Sequence, residues 1–226
     1  KTVLDSVMKN HGVHALTPNS LPACKDFTAA DSNAQDIAFL QHSSGTTGTK
    51  KGVMISHAAL LSQIDAYSAA LNLTEQDRIA SWLPLYHDMG LISSCLLPVI
   101  CGVPVTLVSP FDWVIRPTEF FDLIEKSQAT LVWQPNFAFQ HLVNCATAND
   151  KWDLSSVRAF IDCSEKCRPE TLDNFTAAFN ESGVQKNMLQ TCYAMAESVF
   201  AVTQSDLSQT PRAETIDTNA LVTEGV

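Results

Sequence analysis

The amino-acid sequence predicts an α/β fold, with layered, parallel-rich sheets flanked by helices. Short apolar or β-branched runs alternate with segments of helical periodicity along most of the chain, and such alternation implies parallel strands joined by helical crossovers. Of the 226 residues, 46% are hydrophobic and 17% charged, enough to bury a core in one large domain or one and a half. No segment repeats internally, which excludes a solenoid or an array.

Taken in order, Ile37 to Gln41 (IAFLQ) predicts a short buried strand, and after a polar loop Gly52 to Ser56 (GVMIS) predicts a second strand. Ser56 is placed to cap a helix whose Leu60, Ile64, Tyr67 and Leu71 recur at helical spacing. Val103 to Val108 (VPVTLV) is rich in β-branched residues and predicts a strand. Pro117 and Thr118 then open a helix with Phe120, Leu123 and Ile124 on one face, followed by a strand at Thr130 to Trp133. The alternation continues with a strand at Val157 to Ile161, a helix marked by Leu172, Phe175 and Phe179, and a strand at Met188 to Tyr193. Ser205 to Val226 is polar and turn-rich without a closing element, and the stretch up to Ala34 is weakly patterned. Together with Lys1 in place of an initiator Met, these ends predict a fragment of a longer protein.

Charge and cysteine content narrow the function. Fourteen Lys and Arg against 24 Asp and Glu give a formal charge of -10, which argues against general binding of nucleic acid or anionic membrane. Any phosphate site must be local. The seven cysteines are odd in number, scattered and without a CxxC pair, which fits a reduced, cytoplasmic protein. Cys163 and Cys167 could meet on a helix, but no second Cys/His pair stands near them, so buried thiols are the better reading than zinc. The longest apolar run, Leu91 to Leu107, is broken by Ser93, Ser94, Pro98, Gly102 and Pro104, so no membrane span is expected.

Ser43 to Lys51 concentrates five hydroxyls and two lysines in nine residues, with Gly45 and Gly48 among them. It is not a Walker loop: the glycine spacing is short, Gly52 follows Lys51 where Ser or Thr should, and a strand follows instead of a helix. The G-x-S-x-G elbow of serine hydrolases is missing too. A solvated turn needs only one or two such residues. Glycines that admit backbone amides, clustered hydroxyls and a cation predict a clamp for a polyphosphate.

SSGTTGTKKG (Ser43 to Gly52) resembles the phosphate loop of the superfamily of acyl-CoA synthetases, peptide-synthetase adenylation domains and luciferases, with Lys50 where Pro is usual. SWLPLYHDMGLI (Ser81 to Ile92), PNFAFQHL (Pro135 to Leu142), DLSS (Asp153 to Ser156) and CYAMAE (Cys192 to Glu197) further resemble, in order, motifs of the fatty acyl-AMP ligases. The resemblance runs from about Ile37 to the end. It implies that the chain is the central part of the large AMP-binding domain of an adenylate-forming enzyme. The ribose-binding Asp, the hinge and the catalytic Lys of the small C-terminal domain would then lie beyond Val226, and no catalysis is expected of the fragment alone.

The resemblance also assigns roles. Ser43, Ser44, Gly45, Thr46, Thr47, Gly48 and Lys51 would hold the β,γ-phosphates of ATP, Lys51 supplying charge where a carboxylate attacks a tetra-anion. Glu197 would bind Mg²⁺, sharing it with Thr46 or Thr47, and a hard oxygen donor suits that ion. Tyr193 would lie on the adenine face, between Cys192 and Ala194. The base would also pass FIDCSEKC, by Ser164 and Glu165; there Cys163 and Ser164 stand for the usual Gly and Ala, and Lys166 for Pro. His87 would sit near the acyl carboxylate, with Met89, Pro135, Phe137, Ala138 and Met195 lining the acyl tunnel. A histidine bonded to Asp88 for structure alone is the competing reading of His87.

The implied activity is formation of an acyl-adenylate from a fatty or other apolar carboxylic acid and ATP, followed by transfer to the phosphopantetheine of an acyl carrier protein. CoA ligases usually reach a G-S-x-G segment about 15 to 20 residues after the motif glutamate. The 29 residues after Glu197 contain none, and TIDTNALVTEGV resembles the start of the insertion that marks acyl-AMP ligases, so a carrier is favoured over CoA. A non-catalytic module that holds nucleotide or acyl chain is the alternative of another class.

Overall fold

The computed structural model describes residues 31–42, 52–147, 149–217 and 223, and the unit described here begins at Ala34. Strand β1 (Ile37–His42) pairs antiparallel with β2 (Gly52–Ser56), in a register that sets His42 opposite Gly52. Helix α1 (His57–Ala70) follows without a break. Ser56 caps it, its hydroxyl accepting the Ala59 N–H at 3.2 Å, and Leu60, Ile64 and Tyr67 form its buried stripe as their spacing predicts. The expectation of a buried β1 is corrected: Ile37 and Leu40 are 54% and 61% exposed. A two-stranded ribbon is covered here on one side only, and an apolar run does not say how many sides are covered.

The second sheet carries the fold. Its strands are β3 (Ile79–Ser81), β4 (Val105–Leu107), β5 (Leu131–Gln134), β6 (Ala159–Asp162), β7 (Leu189–Ala194) and β8 (Ala201–Gln204), in the spatial order β4-β3-β5-β6-β7-β8. All neighbours are parallel except β7 and β8, which are antiparallel. Between the strands run α2 (Asp88–Leu91), a π-helical stretch (Ile92–Leu96), α3 (Leu97–Cys101), α4 (Pro110–Ile115), α5 (Glu119–Ser127), α6 (Asn136–Cys145) and α7 (Pro169–Phe179). The predicted parallel α/β architecture is therefore the one observed. The elements that periodicity did not announce are β3, β8 and the helices α2, α3, α4 and α6. Cys163 and Cys167 do not share a helix: they lie in the connection between β6 and α7.

Alternate residues of a strand face opposite sides, and both sides are filled. Trp133 turns towards α1, donating its Nε1–H to the Tyr67 hydroxyl at 2.7 Å, while that hydroxyl donates to Gln204 Oε1 at 3.0 Å. Val132 and its register partner Phe160 turn the other way. There Phe175 of α7 meets Phe160 and Phe139 of α6, with ring centroids 5.4 and 5.1 Å apart. Each such buried ring contributes about 1.5–3 kcal/mol through the water it releases.

At the amino ends of the strands one ion pair ties three connections together. Arg158 donates from Nε to Asp77 Oδ1 at 2.7 Å, from Nη2 to Asp77 Oδ2 at 3.0 Å and from Nη1 to the Leu71 carbonyl at 2.9 Å. Thr130, just before β5, adds its hydroxyl to Asp77 Oδ1 at 2.7 Å. Burial alone would raise the Asp77 carboxyl, but the bonds from Arg158, Thr130 and the Thr74 backbone outweigh it and hold the group below the usual carboxylate range. The amino end is thus fastened, which leaves the carboxyl end for function.

Candidate functional site

In an open α/β sheet, ligands bind beyond the carboxyl ends of the strands where the strand order reverses. From β3 the chain goes outward to β4 and then returns to β5 on the other side, so the crevice lies between β3 and β5. The segments that leave there are Trp82 to Met89 and Pro135 to Ala138. These stretches hold most of the predicted acyl-facing residues.

His87 stands before α2, half-exposed, with Nδ1 2.7 Å from Asp88 Oδ1. That hydrogen bond, against the opposing effect of burial, raises the imidazole above its ordinary value. The competing structural role considered for His87 is thus realised as a contact, and it leaves Nε2 as the free face of the ring. Met89 is buried, and Gly90 passes so close to the Pro84 carbonyl that a Cβ would collide with backbone. The glycine of YHDMG is therefore required by packing.

The loop after β6 closes over this crevice. Ser164 donates its hydroxyl to Met89 Sδ at 3.6 Å, and Glu165 Oε1 accepts the Phe137 N–H at 2.5 Å, at the amino end of α6 where a carboxylate is favoured. Ser164 has φ 74°, a left-handed conformation that costs a residue with a Cβ. Pro135 precedes α6, Phe137 is exposed, and Ala138 is fully buried behind it. Phe137 meets the edges of Trp82 and Trp113, two indoles stacked 3.7 Å apart. His87, Met89, Pro135, Phe137, Ser164 and Glu165 thus gather around the ends of β3, β5 and β6.

The CYAMAE motif begins within β7, at Cys192 to Ala194, and runs on past its end. Tyr193 is exposed, Ala194 and Met195 are half-buried, and Cys192 is buried, its free thiol hydrogen-bonded to the free thiol of Cys163. That hydrogen bond and burial push the Cys163 thiol far up, while the same bond lowers Cys192. Glu197 lies on a 3₁₀ turn (Ala196–Ser198), exposed, and among the described residues its carboxylate has no hydrogen bond or ion pair. Val199 follows at φ 68° and ψ -54°, strained for a β-branched residue by about 1–3 kcal/mol. Its carbonyl accepts Gln41 Nε2–H at 2.9 Å, across 158 residues of sequence. Gln41 stands two residues before Ser43, and Val199 two after Glu197. Ser43, Ser44, Gly45, Thr46, Thr47, Gly48 and Lys51 themselves lie outside the described residues.

Sequence reasoning missed Trp82 and Trp113, and also Gln134, Asn136 and Asp162. Gln134 and Asp162 end the apolar strands LVWQ and AFID, and a polar residue there was the signal available. Burial pushes Asp162 up to about 6 despite the hydrogen bond from Asn136. Among the described residues no group of three or more His, Cys, Asp or Glu is placed to hold a metal ion, and no helix is long and apolar enough to cross a membrane.

A parallel sheet with a crevice at the reversal of its strand order defines a ligand-binding α/β domain. The sequence profile of the AMP-binding enzymes matches residues 3–224, and the chain belongs to that family. It is 32% identical to the medium-chain-fatty-acid–acyl-carrier-protein ligase JamA of Moorena producens over 193 residues, 84% of this chain and 33% of that protein. Over 192 residues it is 33% identical to the long-chain-fatty-acid–AMP ligase FadD32 of Mycolicibacterium smegmatis, 82% of this chain and 30% of that protein. The crystal structure of a fatty acyl-adenylate ligase from L. pneumophila, in complex with acyl adenylate and pyrophosphate, superposes with a TM-score of 0.76 at 36% identity, covering 79% of this chain and 32% of that one. The chain spans about a third of the length of the relatives it matches.

Proposed function

We propose that the protein activates a fatty or other apolar carboxylic acid with ATP, forming an acyl-adenylate and pyrophosphate, and passes the acyl group to the phosphopantetheine thiol of an acyl carrier protein in the cytoplasm. The observation that carries this reading is the buried bond from Gln41 to Val199, which brings the strand leading into the hydroxyl-rich loop beside the segment of Glu197. Two segments far apart in the sequence thereby meet, which supports a shared ligand as large as a triphosphate. Names of relatives that join fatty acids to AMP or to a carrier protein support the same reading.

In this reading the chain is the central part of the adenylation domain, and a small C-terminal domain outside it completes the catalytic set. Lys51 and the amides and hydroxyls of Ser43 to Gly48 bind the phosphates and spread their charge as the acid attacks the α-phosphate. Tyr193 stacks on the adenine, with Ala194 and the backbone of Cys192, Ser164 and Glu165 beside it. His87 faces the carboxylate, and Met89, Pro135, Phe137, Ala138 and Met195 line the path of the acyl chain. Glu197 fits Mg²⁺: it is an exposed hard carboxylate with no competing partner among the described residues, and Thr46 would join it. When bound, the ion neutralises charge on the phosphates.

ATP–pyrophosphate exchange with the full-length protein and a panel of fatty acids tests this. Exchange should depend on a fatty acid, fall at least about tenfold in Lys51→Ala, and need more Mg²⁺ for half-maximal rate in Glu197→Gln, because a neutral amide is a weaker ligand for a hard cation. Exchange unchanged in Lys51→Ala would remove the loop from the mechanism. An unmoved Mg²⁺ titration would remove Glu197.

A further inference from the structure

Gln134 and Asp162 are register partners on β5 and β6, so their side chains leave the sheet on one face, the side of α6 and α7. Both are fully buried. Asp162 Oδ2 accepts Asn136 Nδ2–H at 2.5 Å and the Cys167 thiol also acts on this carboxyl, whereas among the described residues Gln134 Oε1, Gln134 Nε2 and Asp162 Oδ1 lack a hydrogen-bond partner of good geometry. Buried polar groups in folded proteins are nearly always paired, and exceptions mark a bound water or a ligand. Here three unmatched atoms occur at a single level of two adjacent strands, at the carboxyl end of the sheet. Gln134 directly precedes Pro135, and Asp162 lies two residues before Ser164, so the three atoms stand at the roots of the two segments that carry Phe137 and Ser164.

We infer that the acid accepted by this site carries a hydroxyl group that docks between Gln134 and Asp162. The inference rests on the acid-activating reading above. A hydroxyl donates one hydrogen bond and accepts others, so it can give to Asp162 Oδ1 or Gln134 Oε1 while taking Gln134 Nε2–H. A keto oxygen only accepts, and serves Nε2 alone. An unsubstituted alkyl chain serves none of the three and leaves them buried and unpaired, which is how a site built to bond a substrate hydroxyl rejects the analogue without it. The rival occupant is an internal water, which has the same donors and acceptors as a hydroxyl. The two differ in what they predict for the empty protein. Without a water, replacing Gln134 by an apolar side chain removes unpaired groups and stabilises the fold; with one, it breaks bonds that exist.

The test uses the full chain and its own indoles, since Trp82 and Trp113 abut Phe137. Tryptophan fluorescence is titrated with fatty acids of graded length, and at each length with the isomers hydroxylated from the carbon beside the carboxylate to the terminal carbon. Expected is one hydroxylated isomer binding about tenfold or more tightly than its parent acid, a preference abolished in Gln134→Leu, whose Tm is at or above that of the parent protein. Equal binding of parent acids and all their hydroxylated isomers overturns the inference and leaves acid activation standing. A Gln134→Leu variant that still prefers the hydroxylated acid, or whose Tm falls as loss of a bridging water requires, overturns it as well. Binding of no acid whatever overturns both readings together.

Discussion

The carboxyl of Asp162 offers a measurable signature of the site. Burial raises it from the ordinary value near 3.8 to about 6, so the folded chain holds this proton more tightly than the unfolded one. In the window from about pH 4 to pH 6 the folded state binds the extra proton, so stability falls as pH rises through the window and the whole penalty is present above it. Two units at 1.36 kcal/mol each amount to about 3 kcal/mol. Asp162→Asn keeps an acceptor for Asn136 but cannot titrate, and whatever its new amide costs is the same at every pH. Urea unfolding of both proteins is followed from about pH 4 to pH 7.5. The variant should gain on the parent by about 3 kcal/mol across that range, with no change in m-value. A difference that varies by less than about 1 kcal/mol, or that moves in the variant's disfavour with rising pH, refutes the assignment of a strained, buried carboxylate.

Two further outcomes follow from the ion pairs. Arg158→Met removes three guanidinium bonds and leaves buried Asp77 with Thr130 and Thr74 alone, a loss of about 3 kcal/mol in urea unfolding near neutral pH. Because the folded Asp77 carboxyl is depressed, that loss should shrink as pH falls through its folded value, and a loss constant with pH would contradict the pairing. In Asp88→Asn the His87 imidazole should titrate at lower pH by NMR, since Asp88 is what raises it; the stabilisation it gives is full below about 6.5 and disappears as pH rises through the folded value. An unshifted imidazole would show that Asp88 does not hold His87.

Legibility in the sequence followed the strength of local physics. α1 was readable because Ser56, Leu60, Ile64 and Tyr67 combine a cap with a helical stripe, and β5 to β7 because each is a compact apolar run. β3 is three residues long, too short for any period to register, and the helical stretch from Asp88 to Cys101 changes winding in a π-helical middle that spoils its periodicity. The half-exposed strand β1 was mistaken for interior because hydrophobicity reports what a residue tolerates and not what lies beside it. At the site, recognisable motifs led to His87, Met89, Phe137 and Glu197, whereas Gln134 and Asp162 were invisible until their strands were paired. Their meaning lies in being neighbours with nothing to bond, which only tertiary structure reveals.

Apart from β4, which lies on the outer side of β3, the strands from β3 to β8 lie side by side in the order in which they occur in the chain. The segments at their carboxyl ends are therefore laid out along one edge of the sheet as they are spelled in the sequence, from His87 and Met89, through Pro135 and Phe137, to Ser164, and then to Tyr193 and Glu197. This makes the domain divisible by recombination. A single genetic crossover between Cys145 and Ala159 would exchange everything on the Phe137 side while leaving the Tyr193 side whole, and the seams to be rejoined would include β5 with β6, α6 with α7, and the bonds of Gln41 to Val199 and Tyr67 to Gln204. A lineage could in this way change what its crevice admits without rebuilding what lies at the other end of the row.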